Sequence, residues 1–92
     1  MRALQRMRQA IREQRYRISS HANEEMSDDD LVAEDIESII LTGQITRKFT
    51  RDPRGTRYEV TGDTMNGRHA CAVCRFLPSG VLRIITAYVE EG

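Results

Sequence analysis

The spacing of apolar residues changes once along this chain, at Gly43, and that change restricts the fold to helices followed by a sheet. Before it, Leu4, Met7 and Ile11 recur at helical spacing with Ala3 and Ala10 beside them, and Val32, Ile36, Ile39 and Ile40 do so again. After it the period is two: Ile45, Arg47 and Phe49 alternate with Thr46, Lys48 and Thr50. The pattern predicts helices over 3–14, 20–27 and 31–42 and strands over 44–51, 56–62, 68–76 and 81–89, with Tyr16-Arg17-Ile18 as a short extended joint. Ser19 and Ser20 can cap the second helix, and Asp28-Asp29-Asp30 breaks it and can cap the third. Gly43 stands where a left-handed C-terminal residue belongs. Asp52-Pro53-Arg54-Gly55, Asn66-Gly67 and Pro78-Ser79-Gly80 mark the turns. The expectation is one α+β domain spanning residues 1–92, its N-terminal helices packed on a four-stranded antiparallel meander.

The formal net charge of zero conceals strong blocks. Residues 1–17 hold six Arg against Glu13 alone, whereas residues 18–42 hold eight carboxylates and no Lys or Arg. Residues 43–58 return to basic, with Arg47, Lys48, Arg51, Arg54 and Arg57 against Asp52. Such segregation gives oppositely charged faces, a basic one for phosphate and an acidic one for a basic partner, or else blocks that neutralise one another within the fold. No apolar run approaches the ~20 residues of a membrane span, and the arginines near the N-terminus interrupt any signal-like core. A cytoplasmic location with no membrane contact is expected.

Two histidines are present, and the more informative is His21, just past Ser19-Ser20. A first-turn side chain stands near unpaired backbone N–H groups and the positive end of the helix dipole, so this imidazole is placed to accept a proton or meet a phosphate edge. Taken alone, a histidine at a helix start is more often a structural hydrogen-bonding residue than a catalyst. Cys71 and Cys74 form a C-x-x-C, but within a strand positions three apart point to opposite faces, so two buried small side chains are expected rather than a metal or redox site. No cofactor is called for. On the last strand the alternation groups Thr86 and Tyr88 with Leu82 and Ile84, and opposes them to Arg83, Ile85, Ala87 and Val89. Tyr88 could be an amphipathic edge of the core, a general acid or a base-stacking surface. Arg57, Arg75 and Arg68 are the sheet arginines able to grip a phosphate with two N–H groups. Whether Arg57 or Arg75 shares a face with Tyr88 turns on the length of the Asn66-Gly67 loop.

Ile18-Ser19-Ser20-His21-Ala22, Glu34-Asp35-Ile36, Gly43, Gly55-Thr56-Arg57-Tyr58 and Ile84-Ile85-Thr86-Ala87-Tyr88 together resemble a small, mostly prokaryotic family, domain of unknown function 4258. The resemblance runs from about residue 4 to residue 88. It implies kinship with the barnase/colicin/RelE-like ribonuclease toxins, hence a RelE-like fold, metal-independent RNA cleavage, and an antitoxin-like protein partner alongside RNA. By position it implies a catalytic set of His21, Arg57, Thr86 and Tyr88, with Arg57 and Arg75 on phosphate. Glu25 is a departure, since Arg is common there in the family and a carboxylate would weaken phosphate binding. A non-catalytic protein- or RNA-binding module of the same fold is the competing expectation.

Overall fold

The computed structural model describes residues 2–90. Three helices, α1 (Ala3–Arg12), α2 (Ser20–Asp28) and α3 (Ala33–Thr42), accompany five strands: β1 (Tyr16–Ile18), β2 (Gln44–Phe49), β3 (Arg57–Asp63), β4 (His69–Phe76) and β5 (Leu82–Val89). The sheet order is β1-β5-β4-β3-β2. The expected four-stranded antiparallel meander is therefore incomplete: the extended joint is a fifth strand, and it pairs parallel to β5, with Tyr16 opposite Leu82 and Ile18 opposite Ile84. Three residues are too few to show a period, and pairing with the last strand leaves no local trace in sequence.

Helix α1 ends at Arg12, two residues before the periodicity suggests, because Gln14 turns left-handed at φ 59°. Helix α3 starts at Ala33 instead of 31, after its Val32 cap, where the side chain of Asp35 accepts the Val32 N–H at 3.0 Å. The other oxygen of that buried carboxylate accepts Met65 N–H at 2.9 Å, so the charge is not left unpaired. Arg8 donates to the carbonyls of Ile40 and Gly43 at 3.1 and 2.8 Å and so closes the C-terminal end of α3.

All three helices contribute to one core with a single face of the sheet. Met7, Ala10, Ile11, Ala22, Met26, Ile36, Ile39 and Ile40 meet Val60, Ala70, Ala72, Cys74, Leu82, Ile84 and Ala87. Burying each large aliphatic side chain here is worth about 1.5–3 kcal/mol. Among the described residues no helix covers the opposite face.

Two glycines set how closely α3 approaches the sheet. Gly43 is extended (φ −91°, ψ −174°), so the left-handed role expected for it does not apply. Its need for glycine is spatial: a Cβ would collide with the carbonyl oxygens of Ile39 and Thr61. At Gly62 a Cβ would strike the Ile39 carbonyl and stand 2.9 Å from Gly43 Cα. Both obstacles are backbone and cannot rotate away. Gly62→Ala should therefore lower stability by about 1–3 kcal/mol. Thermal unfolding measures this, and an unchanged melting temperature would show that the corner opens freely.

Candidate functional site on the uncovered sheet face

Strand β5 decides what the uncovered face displays. Its pairing with β4 slips between Val73–Thr86 and Cys74–Ile84, leaving Ile85 as an extra residue. Such a bulge inverts the alternation beyond it. Leu82 and Ile84 point to the core, as do Ala87 and Val89 further on, so Thr86 and Tyr88 emerge on the opposite face. The grouping of Thr86 and Tyr88 with Leu82 and Ile84 is thereby corrected.

The turn around Asn66-Gly67 spans residues 64–68, closed by Thr64 N–H to Arg68 O at 2.8 Å, with Gly67 at φ 84°. The resulting register places Thr61 opposite Cys71 and Cys71 opposite Tyr88, and sets Glu59, Val73 and Thr86 in the neighbouring row. Arg57 and Arg75 both share the uncovered face with Tyr88, so the sequence alternatives are not exclusive.

Ser19 fixes His21 beside this face. Its hydroxyl accepts Ala22 N–H at 3.1 Å as the α2 N-cap and donates to Ile85 O at 3.0 Å, while its N–H donates to Ile84 O. Where β1 stops, α2 takes over the free edge of β5, and Asp29 at its far end accepts Val89 N–H at 2.8 Å. His21 is thus a first-turn residue with an exposed ring, and its Nε2 is 3.2 Å from Glu25 Oε1 one turn later. The same carboxylate oxygen accepts the hydroxyl of Thr86. Glu25, which the resemblance marks as a departure, joins the helix imidazole to the sheet hydroxyl. The i,i+4 spacing of His21 and Glu25 was the available signal for this pair.

Tyr88 stands two residues beyond Thr86, half-buried, with its hydroxyl 3.5 Å from Glu59 Oε2. Glu59 also accepts Thr46 Oγ1 at 2.9 Å, and hydroxyl–hydroxyl and hydroxyl–thiol contacts of 3.0 and 3.3 Å link Thr46, Thr61 and Cys71. Cys74 lies on the core side, where burial pushes its thiol up to about 12, and it donates to Met7 Sδ. The two cysteines thus occupy opposite faces.

Arg57 is not brought to His21. Its Nε lies 3.2 Å from Asp52 Oδ2 and its guanidinium rests 5.0 Å from the centre of the Phe49 ring, two strands away from Thr86. Asp52 is held below its usual value chiefly by the Arg54 backbone N–H, with the charges of Arg54, Arg57 and Arg75 adding to it. Arg68 serves the fold, donating to the Asp29 and Asp30 carbonyls at 2.9 and 3.2 Å. His69 is exposed and paired with Asp63 at 2.9 Å. Among the described residues no ion pair joins the acidic block of 18–42 to Arg or Lys, so the charge blocks do not neutralise one another in that way.

The fold and site define a small α+β protein whose uncovered sheet face carries an imidazole–carboxylate–hydroxyl group at one edge and arginines along one end. Residues 18–89 match the model of DUF4258, a domain of unknown function, and the chain belongs to that family. Helix α1 lies outside the matched segment. Neither a curated protein nor a solved structure matches the chain.

Tyr88 is pushed up from 10 to about 12, first by burial, then by its contact with Cys71 and by the charge of Glu59. Between pH 10 and 12 the folded chain keeps this proton and the unfolded chain has lost it. The associated stability is complete below pH 10 and is lost as pH rises towards 12. Tyr88→Phe should make the alkaline fall in melting temperature shallower and delete one tyrosinate absorbance step near pH 12. The remainder belongs to Tyr16, raised to about 12 by its own burial and by Glu37. An alkaline profile identical in Tyr88→Phe would contradict this assignment.

Proposed function

We propose that this protein is a toxin-like, metal-independent endoribonuclease of a toxin–antitoxin type system, with a RelE-like fold. The observation that carries the reading is the junction of His21, Glu25 and Thr86 at the edge of an uncovered sheet face that also bears Tyr88 and the sheet arginines. Metal-free RNA cleavage needs a base for the ribose 2′-hydroxyl, cations for the phosphate oxygens and an acid for the leaving 5′-oxygen.

Glu25 beside Nε2 favours a proton on that nitrogen, which leaves Nδ1 of the exposed ring as the acceptor. His21 Nδ1 then takes the 2′-hydroxyl proton, and the carboxylate stabilises the imidazolium that forms. Attack of the 2′-oxygen on phosphorus expels the 5′-oxygen, which takes up a proton from Tyr88. Burial, Cys71 and the Glu59 charge keep this phenol protonated at neutral pH, so it has a proton to give, and its hydroxyl faces Glu59 in the resting site. Thr86 is a positioning residue, holding Glu25 by its hydroxyl. Arg75 is the nearer phosphate clamp, and Arg57, already facing Asp52, acts further along the face.

That separation of Arg57 from His21 favours a second reading, in which the same face is a non-catalytic surface for RNA or for an antitoxin-like protein. Induced expression decides between them. On the first reading growth stops, RNA is degraded, and His21→Ala restores growth with cleavage slowed about 10²–10⁴-fold. Glu25→Gln should retain the fold and cleave more slowly than wild type. Arrest that persists unchanged in both His21→Ala and Tyr88→Phe would sink the catalytic assignment. Purified protein that forms a stable complex with a neighbouring gene product and leaves RNA intact would establish the second reading.

A further inference from the structure

The register of the sheet sets arginines opposite one another on four consecutive strands. Arg17 on β1 pairs with Arg83 on β5, and Arg83 pairs with Arg75 on β4. One residue beyond the Tyr58–Cys74 pair, Arg57 on β3 falls opposite Arg75, and Arg57 pairs in turn with Phe49 on β2. Directly opposed residues point to the same face, so these four side chains form one row across the uncovered face. At about 4.8 Å per strand the row is about 14 Å long, and Phe49 extends it by one strand more.

Such a row works against the fold. Like charges directly opposed across strands are destabilising. A structural row would be expected to carry interleaved carboxylates, yet Asp52 at the Arg57 end is the one acidic partner among the described residues. Among the described residues the side chains of Arg17, Arg75 and Arg83 make no hydrogen bond or ion pair. Arg57 Nε, despite its nearness to Asp52, is buried without a hydrogen-bond partner. Their aliphatic stems can shelter Val73 in the next row, and the lone Asp52 carboxylate, whose charge reaches Arg57 and Arg75, leaves the row strongly positive.

We infer that the Arg17–Arg83–Arg75–Arg57 row is the track of a single RNA strand laid across the sheet, perpendicular to its strands. A line of cations one residue wide fits a single phosphodiester backbone better than a broad anionic surface. The aromatic ring at its end offers a base a stacking partner of the kind single-strand binders use. There the row opens into a concavity of about 550 Å³ with Lys48, Phe49, Arg51 and Arg54 among its lining residues, room for a nucleotide and its phosphate. At the β5 end the row lies about 7 Å, two residues, from the row of Thr86, so a strand on the track passes beside His21 and Glu25. The strand thus enters at the imidazole edge and leaves over Phe49. This deepens the ribonuclease reading and takes from it only that the ligand is RNA.

Binding can be read without cleavage. A fluorescein-labelled, single-stranded 2′-O-methyl RNA of ten nucleotides lacks the attacking hydroxyl and reports affinity by anisotropy across a salt series. Arg83→Gln and Arg75→Gln should each weaken binding about tenfold at low salt and reduce the slope of log K against log salt by about 0.7. Arg12→Gln, the same charge change on exposed α1, should leave both unchanged. Circular dichroism should show the sheet variants folded, with melting temperatures equal to or above wild type, since repulsion is relieved. Equal weakening by all three variants, or no salt-dependent binding at all, would overturn the track. Polyglutamate of the same charge competing as well as RNA would overturn it in favour of an acidic protein segment. Unmodified RNA separates the two proposals: intact binding without cleavage overturns the nuclease and leaves the track, whereas cleavage unaffected by Arg83→Gln and Arg17→Gln overturns the track alone.

Discussion

One unpaired residue, Ile85, governs the uncovered face. Without its bulge the alternation of β5 would run unbroken from Leu82, and Thr86 and Tyr88 would be driven into the core while Ala87 and Val89 faced solvent. The bulge is also where α2 is attached. Ser19 spends its hydroxyl on both the first turn of that helix and the Ile85 carbonyl. A distortion in the last strand and the cap of the second helix are therefore one joint. The imidazole is held at the edge of β5 by the same contact that turns Thr86 outward to meet Glu25.

Charge segregation in sequence becomes segregation of tasks in the fold. Among the arginines that serve the fold itself are Arg8 and Arg68 on the carbonyls that end α3 and α2, Arg15 on the Gly80 carbonyl, and Arg6 over the Phe76 ring at 4.3 Å. The carboxylates of 18–42 are likewise turned to local work, with Asp35 and Asp29 accepting backbone N–H groups and Glu37 accepting Tyr16. Because neither block is consumed by the other, the sheet arginines remain available on their own face.

The mixed α+β architecture was legible because it rests on local period: the helices at Met7–Ile11 and Ile36–Ile40 and the strands after Gly43 announce themselves within a few residues. What eluded the sequence is non-local. The parallel strand at Tyr16–Ile18 exists only because β5 offers it a partner 66 residues away, as the Tyr16–Leu82 register shows. A bulge has no signature in an unbroken run such as Ile84-Ile85-Thr86, so the facing of Thr86 and Tyr88 was out of reach. Gly43 was recognisable as necessary but for another reason, since the backbone crowding it comes from Ile39 in α3 and from Thr61 on β3. The resemblance drew attention to His21 and Thr86 yet set Glu25 aside, because a family pattern weighs what usually occupies a position and not what that position touches. The arginine row needed three registers at once, and none of its members is unusual alone.

The joining of His21 and Glu25 to Thr86 also has a consequence in time. Glu25 and Thr86 stand 61 positions apart in the sequence. During synthesis α1, α2 and α3 are made before β5 exists, and the edge on which α2 docks is then missing. Contacts of such long sequence separation form late, after the loop between them has closed. The cluster is therefore latent in every nascent chain and comes into being only when the last strand is free to fold. Whatever this face does, it does so only after translation has carried the chain through β5.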